Sequence, residues 1–99
     1  MRARRTDANN TAIAEAAEAL GVRVHRTNRE WDQTWQYGGM TMLVEVKDGT
    51  KPPSARKLTK AEEKTHGKMM IRVVEDLDGV ESAVKTLRKW HQAIMSIKY

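Results

Sequence analysis

Cysteine is absent from the 99-residue sequence. The protein therefore has no disulfide framework, no zinc site built on thiolates and no cysteine nucleophile, which is compatible with a reducing compartment. Long apolar segments are absent too, because no run approaches the roughly 20 residues that a membrane-spanning helix needs. The N-terminus, residues 1–5, is basic and no apolar segment follows it, so we expect no signal peptide. These absences predict a soluble cytoplasmic protein without a membrane partner.

The length and charge of the chain limit what it can bind. A chain of 99 residues is expected to form one domain, over residues 1–99, with room for one core and a shallow surface site. Lysine and arginine number 18 against 13 acidic residues, a net charge of +5. Such a surplus favours a polyanionic partner such as nucleic acid, although many small basic domains bind none.

The pattern of apolar residues and turn signals predicts an α/β (α+β) fold, a mixed sheet flanked by helices. Residues 1–6 form a basic arm and residues 48–57 a loop rich in proline and glycine. Gly38 and Gly39 mark a hairpin turn, the pair Thr59 and Glu62 forms a capping box, and Gly67 is expected to end the helix that follows. The predicted elements are helix 8–20, strand 22–27, strand 31–37, strand 40–47, helix 59–66, strand 69–74 and helix 78–97.

Three charged residues lie on the predicted hairpin. Glu45 and Lys47 are two residues apart on an otherwise apolar strand, so their side chains point the same way. Asp32 lies on the other strand, nearly symmetric with Glu45 about Gly38 and Gly39. Two carboxylates would then meet beside one ammonium group. The plain alternatives are a surface ion pair for Glu45 and Lys47, and a turn-capping role for Asp32.

Two adjacent carboxylates repel each other unless a cation lies between them. Mg²⁺ is typically held by one or two carboxylates, waters and a substrate phosphate. Asp32 and Glu45 are therefore candidate metal ligands, and the backbone carbonyl of Val46 is a further one. Lys47 could orient or deprotonate the attacking water, or stabilise the phosphate that it attacks.

Asp32 is followed, after twelve intervening residues, by Glu45-Val46-Lys47. This spacing resembles the signature of PD-(D/E)XK nucleases. The surroundings look similar to the virus-type replication-repair (VRR-NUC) branch and to phage Holliday-junction resolvases. The similar features are residues 5–9 at the start of the first helix, Gly21 after it, residues 45–49, residues 52–59, the pair Glu62 and Glu63, and His66. The resemblance extends from residue 5 to about residue 80.

This resemblance implies an α-β-β-β-α-β core like that of restriction endonucleases and Mg²⁺- or Mn²⁺-dependent cleavage of DNA. Asp32, Glu45 and Lys47 would be the catalytic residues. Small members of the family are often homodimers that act on branched DNA, in a bacterial or phage setting.

Some positions depart from the family pattern. Trp31 stands where proline usually precedes the acid, and Ala12 where an acid is often found. Glu15 or Asn9 could substitute for that acid, and Glu63 occupies the place of a frequent glutamine. These departures motivate a second hypothesis, a nuclease-fold module that binds DNA or protein without useful turnover.

Several other side chains could contact DNA or a partner. Basic residues near the site are candidate phosphate contacts, with a solvated surface as the alternative; they are Arg4, Arg5, Lys51, Arg56, Lys57 and Lys60. The aromatic residues of the hairpin, Trp31, Trp35 and Tyr37, could stack on unpaired bases, but a core role is favoured.

The C-terminal helix and the histidines leave two further questions. The helix carries an apolar stripe that could pack on the sheet or continue into a dimer partner; it consists of Ala83, Leu87, Trp90, Ile94 and Ile97. A third hypothesis is thus an accessory protein that binds a partner through residues 80–97. The histidines have no metal-ligand spacing. Of the three, only His66 lies at the end of the predicted helix near the site.

Overall fold

The computed structural model describes residues 8–27, 29–48 and 58–98. Within these ranges the chain forms an α+β fold of four strands in one mixed sheet and three helices, as the coarse fold class predicted. The basic arm 1–6 and most of the loop 48–57 lie outside the described residues. The elements are α1 (Ala8–Ala19), β1 (Arg23–Arg26), β2 (Gln33–Tyr37), β3 (Met40–Val46), α2 (Lys60–Lys68), β4 (Ile71–Val74) and α3 (Leu77–Lys98).

The strands lie in the order β1-β2-β3-β4. The first three are antiparallel neighbours, whereas β4 is parallel to β3. The turn between β2 and β3 needs Gly38 and Gly39, whose φ angles are +55° and +87°. At Gly38 an added Cβ would also collide with the ring of His91. The strand predicted from Trp31 begins only at Gln33. The preceding residue, Asp32, instead uses its carboxyl and peptide groups to bind the ends of the strands, as described below.

The short helix α2 begins as the capping box predicts but ends later than expected. The Thr59 hydroxyl accepts a hydrogen bond from the Glu62 N–H at 3.1 Å, and the Glu62 carboxylate accepts one from the Thr59 N–H at 2.9 Å. The prediction that Gly67 ends the helix is wrong. A single glycine within a helix is tolerated at a modest cost. The helix instead ends after Lys68, where the Met69 N–H still reaches the Thr65 carbonyl at 3.0 Å.

The core lies between one face of the sheet and the helices α1 and α3. Trp35 is fully buried there, with Val44 from β3 and Leu87 from α3. The indole N–H of Trp35 donates to the Gln33 side chain at 2.8 Å, and Gln33 donates in turn to the Asn10 carbonyl of α1 at 2.8 Å. This buried polar chain fixes α1 against β2 and satisfies the amide that the core encloses.

Helix α3 runs past the sheet. Its 22 residues span about 33 Å at ~1.5 Å per residue. Asp76 caps its start, since the carboxylate accepts the Gly79 N–H at 2.8 Å. The apolar stripe is buried at Leu87 but 46% exposed at Ile94 and 79% exposed at Ile97. The stripe therefore serves the core in its first half and lies in solvent in its second half. Within the described ranges, no helix is both long and apolar enough to cross a membrane.

Candidate active site

Asp32 and Glu45 meet where the hairpin strands end. The backbone N–H of Asp32 donates to the Val44 carbonyl at 3.0 Å. Its carboxylate Oδ2 accepts the Val46 N–H at 2.8 Å. Asp32 therefore binds the peptides on both sides of Glu45, and the two carboxyl groups lie within hydrogen-bonding contact. The local turn at Gly38 and Gly39 is sufficient to bring them together.

Both carboxyl groups are removed from water. Asp32 is 7% and Glu45 is 5% exposed. Burial, followed by the charge of Asp32 and then that of Glu62, raises the pKa of Glu45 from 4.5 to about 9. At neutral pH Glu45 thus keeps a proton, which it shares with Asp32. The site contains more potential negative charge than its own cation can neutralise.

Lys47 emerges beside this pair but is held mainly by another carboxylate. Its Nζ lies 2.8 Å from Glu62 Oε1 and 3.9 Å from Glu45 Oε2. The same Glu62 oxygen accepts the Thr59 N–H of the capping box. Burial opposes ionisation of Glu62, but the hydrogen bonds from Lys47 and from the Thr59 backbone outweigh it and lower the pKa of Glu62. Lys47 is therefore fixed by the first turn of α2.

Glu62 contacts Lys47, whereas the sequence identified it as a helix cap and, with Glu63, as part of the family resemblance. The capping box is readable from two positions three residues apart. The contact with Lys47 depends instead on where α2 docks, which no local pattern encodes. The accessory candidate next to it, Glu63, is exposed, and Glu62 occupies the place beside the lysine.

The start of α1 reaches the site through Asn9. The amide nitrogen of Asn9 donates to the Lys47 carbonyl at 2.7 Å and to the Glu75 carbonyl at 3.3 Å. It thus connects the ends of β3 and β4, directly behind the site lysine. Asn9 acts here through its nitrogen, which cannot bind a metal, while Glu15 lies exposed on α1.

The Val46 carbonyl points toward Asp32. In an extended strand the N–H and C=O of one residue point to the same side. The Val46 N–H binds Asp32, so the Val46 carbonyl faces the same side, while the Lys47 N–H reaches the Val74 carbonyl of β4 at 3.0 Å. The Val46 oxygen consequently lies on the same side of β3 as Asp32.

A hard divalent cation fits this donor set. Within the described ranges, no group of three or more His, Cys, Asp and Glu side chains is arranged to hold a metal ion. The pair Asp32 and Glu45, however, supplies the one or two carboxylates that Mg²⁺ typically uses. A proton now takes the place that a cation would fill, since Glu45 has a pKa of about 9.

Most of the predicted phosphate contacts cannot be placed. Arg4, Arg5, Lys51, Arg56 and Lys57 lie outside the described residues. Lys60 is the first residue of α2 and is exposed, two residues before Glu62, whose carboxylate binds Lys47. Its position keeps it a candidate for a phosphate contact near the site.

Comparisons with protein-family models, with curated proteins and with solved structures give no match for this chain.

Proposed function

We propose that this protein is a metal-dependent DNA endonuclease of the PD-(D/E)XK type that hydrolyses phosphodiester bonds. The observation that carries the proposal is the buried pair Asp32 and Glu45, which holds a proton where a cation would remove the repulsion. Lys47 projects beside this pair from the same strand. Burying two adjacent carboxylates is costly, and the hydrogen bond from the Val46 N–H needs only the carboxylate of Asp32, so the presence of Glu45 beside it favours a functional role.

Asp32, Glu45 and the Val46 carbonyl would hold the cation, Mg²⁺ or Mn²⁺. When bound, such an ion lowers the pKa of a coordinated water and offsets negative charge on the attacked phosphate. Lys47 contributes a positive charge next to that phosphate and can orient or deprotonate the water. Glu62 fixes the ammonium group, because it accepts one of its three N–H bonds at 2.8 Å.

The fold is compatible with this assignment. The described elements follow the order α-β-β-β-α-β, with three antiparallel strands and a fourth strand parallel to the third. We propose that they form the restriction-endonuclease-like core that the resemblance implies. The three site residues lie at the ends of neighbouring strands, where such a core places its carboxylates.

We further propose that branched DNA is the preferred substrate and that the chain acts as a homodimer. The exposed end of α3 offers an apolar surface for self-association, at Ile94, Met95 and Ile97. Two copies would present two sites to two strands of a junction. A domain of 99 residues gains both stability and grip from such pairing.

One observation favours the alternative, a DNA-binding or protein-interaction module with little turnover. The Lys47 ammonium group is 2.8 Å from Glu62 but 3.9 Å from Glu45. Its closer ion pair is therefore with Glu62 and not with the carboxylates of Asp32 and Glu45. If this ion pair persists when DNA is bound, catalytic assistance from Lys47 is lost.

Cleavage of a labelled DNA panel distinguishes the two. Linear duplex, single strand, flap and four-way junction would be incubated with Mg²⁺, Mn²⁺ or EDTA. Lys47→Ala is compared with the wild type and with Lys64→Ala, which removes an exposed lysine from α2. We expect metal-dependent cutting, fastest on branched DNA, reduced at least ~100-fold in Lys47→Ala and retained in Lys64→Ala.

Binding measured in EDTA separates chemistry from recognition. The endonuclease proposal requires Lys47→Ala to bind the panel nearly as well as the wild type. If the wild type binds DNA but cuts no panel member with either metal, the binding module is the correct reading.

A further inference from the structure

A groove of about 500 Å³ lies at the opposite end of the sheet from the candidate active site. It is bordered by the first residues of β3 and β4, by the end of α2 and by Trp90 of α3. The strands β3 and β4 are parallel, so both point from this groove toward the carboxylates. The volume falls within the range of roughly 300–1,000 Å³ that is usual for ligand sites.

The charged residues that line the groove are all basic. Lys68 and Arg72 belong to its wall, and among the residues that the structure describes no aspartate or glutamate does. The guanidinium of Arg72 donates to the Ser82 hydroxyl at 2.9 Å and to the Thr86 hydroxyl at 3.3 Å. These neutral partners orient the guanidinium without neutralising its charge. The groove is therefore suited to an anion.

His66 contributes an unused polar atom to the same wall. Its Nε2 is buried and has no hydrogen-bond partner in the part of the chain that the structure describes. A buried imidazole nitrogen without a partner is unfavourable. His66 borders the groove, but its Nε2 is enclosed by protein, so the cations and the apolar lining are what would hold a ligand.

The remainder of the groove is apolar. Met42, Ile71 and Trp90 border it, and the side chain of Met70 is 84% exposed at its mouth. An indole and thioether surface offers contact to a flat aromatic ring. An inorganic phosphate alone would leave this surface uncovered, so the lining fits a ligand that combines an aromatic ring with negative charge.

We infer that this groove binds an unpaired segment of a nucleic acid strand, with a base against Trp90 and Met70 and backbone phosphate near Lys68 and Arg72. The inference rests on the proposed function for the choice of a nucleic acid over an acidic peptide. Thr41 at the groove and Glu45 at the site are four residues apart in one strand, about 13 Å at ~3.3 Å per residue. Arg72 pairs with Val44, next to Glu45, so a strand held in the groove would be anchored within about 13 Å of the bond to be cut, and a substrate with unpaired bases would be favoured.

Binding of a fluorescein-labelled oligodeoxythymidylate of about 16 nucleotides tests the inference, with fluorescence anisotropy as the readout and EDTA present throughout. Met70→Glu places a negative charge at the groove mouth, and Ala19→Glu places one at an exposed position of α1 as the control. Lys68→Ala removes a groove cation, and Lys64→Ala removes an exposed lysine from the same helix. Circular dichroism melting verifies that each variant is folded.

We expect Met70→Glu to weaken binding about tenfold or more and Ala19→Glu to leave it unchanged. Lys68→Ala should reduce the slope of log affinity against log salt by about 0.7, and Lys64→Ala should not. Equal effects within either pair would overturn the inference in favour of diffuse surface charge. Tighter binding of an acidic peptide than of the oligonucleotide would also overturn it.

The outcome is independent of catalysis. No cleavage occurs in EDTA if the site needs a metal, so loss of binding in Met70→Glu reports on the groove alone. If the groove binds the oligonucleotide but the protein cuts no DNA, the proposed endonuclease activity is refuted and the proposed binding groove stands. If wild type and Met70→Glu cleave DNA equally and bind the oligonucleotide with equal affinity, the proposed groove is refuted and the proposed endonuclease activity stands.

Discussion

Replacing Glu45 with glutamine should stabilise the protein while abolishing its activity. The pKa of Glu45 is raised from 4.5 to about 9, so the folded state keeps a proton that the unfolded state releases in that range. The stability associated with this proton is complete below about pH 4.5 and is lost as the pH rises toward about 9. Each pH unit in this window costs up to ~1.4 kcal/mol.

The magnitude follows from these values. At pH 7 the wild type would have lost up to about 3 kcal/mol relative to its fully protonated state. The loss is smaller in practice, because water and neighbouring side chains adjust around an ionised Glu45. Glutamine has nearly the shape of protonated Glu45 and can still donate to Asp32. We therefore expect Glu45→Gln to raise the free energy of unfolding by about 1 to 3 kcal/mol at neutral pH. Each kcal/mol corresponds to a rise in melting temperature of roughly 4 to 8 °C.

Urea unfolding followed by circular dichroism, in EDTA and across the pH range, measures this effect. The wild-type midpoint should fall as the pH rises, and the Glu45→Gln midpoint should stay nearly level. Glu62→Gln is an informative control with the opposite sign, since the lowered pKa of Glu62 means that its ionised form stabilises the fold above its unfolded pKa. Glu63→Gln, at an exposed position, should change nothing.

Metal addition completes the test. Mg²⁺ should raise the wild-type midpoint by mass action and restore stability most at high pH, but it should do little for Glu45→Gln. A Glu45→Gln protein that is no more stable than the wild type at neutral pH, with the same pH profile, would refute the reasoning. Glu45 would then not be a buried, protonated group.

Two further predictions concern the fold, and both are measured by urea unfolding. Gly39→Ala should cost about 1 kcal/mol because of its positive φ, and Gly38→Ala should cost more, since its Cβ also meets His91; equal losses would contradict the turn geometry. Leu87→Ala should cost about 2 to 5 kcal/mol, whereas Ile97→Ala should stay within about 0.5 kcal/mol in the monomer. A larger, concentration-dependent loss in Ile97→Ala would show that the end of α3 is an interface.

The proximity of Asp32 to Glu45 could be predicted because it depends on local rules. A two-residue glycine turn fixes the register of a hairpin, and period two fixes which side chains share a face. Asp32 and Glu45 are separated by only that hairpin, so their contact requires no knowledge of the rest of the fold. The capping box of Thr59 and Glu62 was readable for the same reason.

The contacts that the sequence did not predict are those between elements distant in the chain. Asn9 bonds to the carbonyls of Lys47 and Glu75, which are 38 and 66 residues away. Glu62 reaches Lys47 because the first turn of α2 lies beside the residue that follows β3. Such contacts depend on how the apolar faces of helices pack, and several packings satisfy the same pattern. The helix through Gly67 is a smaller case, in which a hydrogen bond at Met69 outweighed an unfavourable propensity.

The charge distribution along β3 gives the proposed metal a second role. One end of the strand carries the buried carboxylates of Asp32 and Glu45, and the other end opens on a groove whose charged residues are Lys68 and Arg72. Without a cation, a nucleic acid strand is attracted to the groove and repelled from the carboxylates. A divalent ion would neutralise the two carboxylates, so one strand could then contact both ends. Under the proposed function, the metal should therefore both enable cleavage and extend the bound DNA segment from the groove to the site. We expect the affinity for uncleavable DNA to rise when Ca²⁺ is added to the wild type and not when it is added to Glu45→Gln.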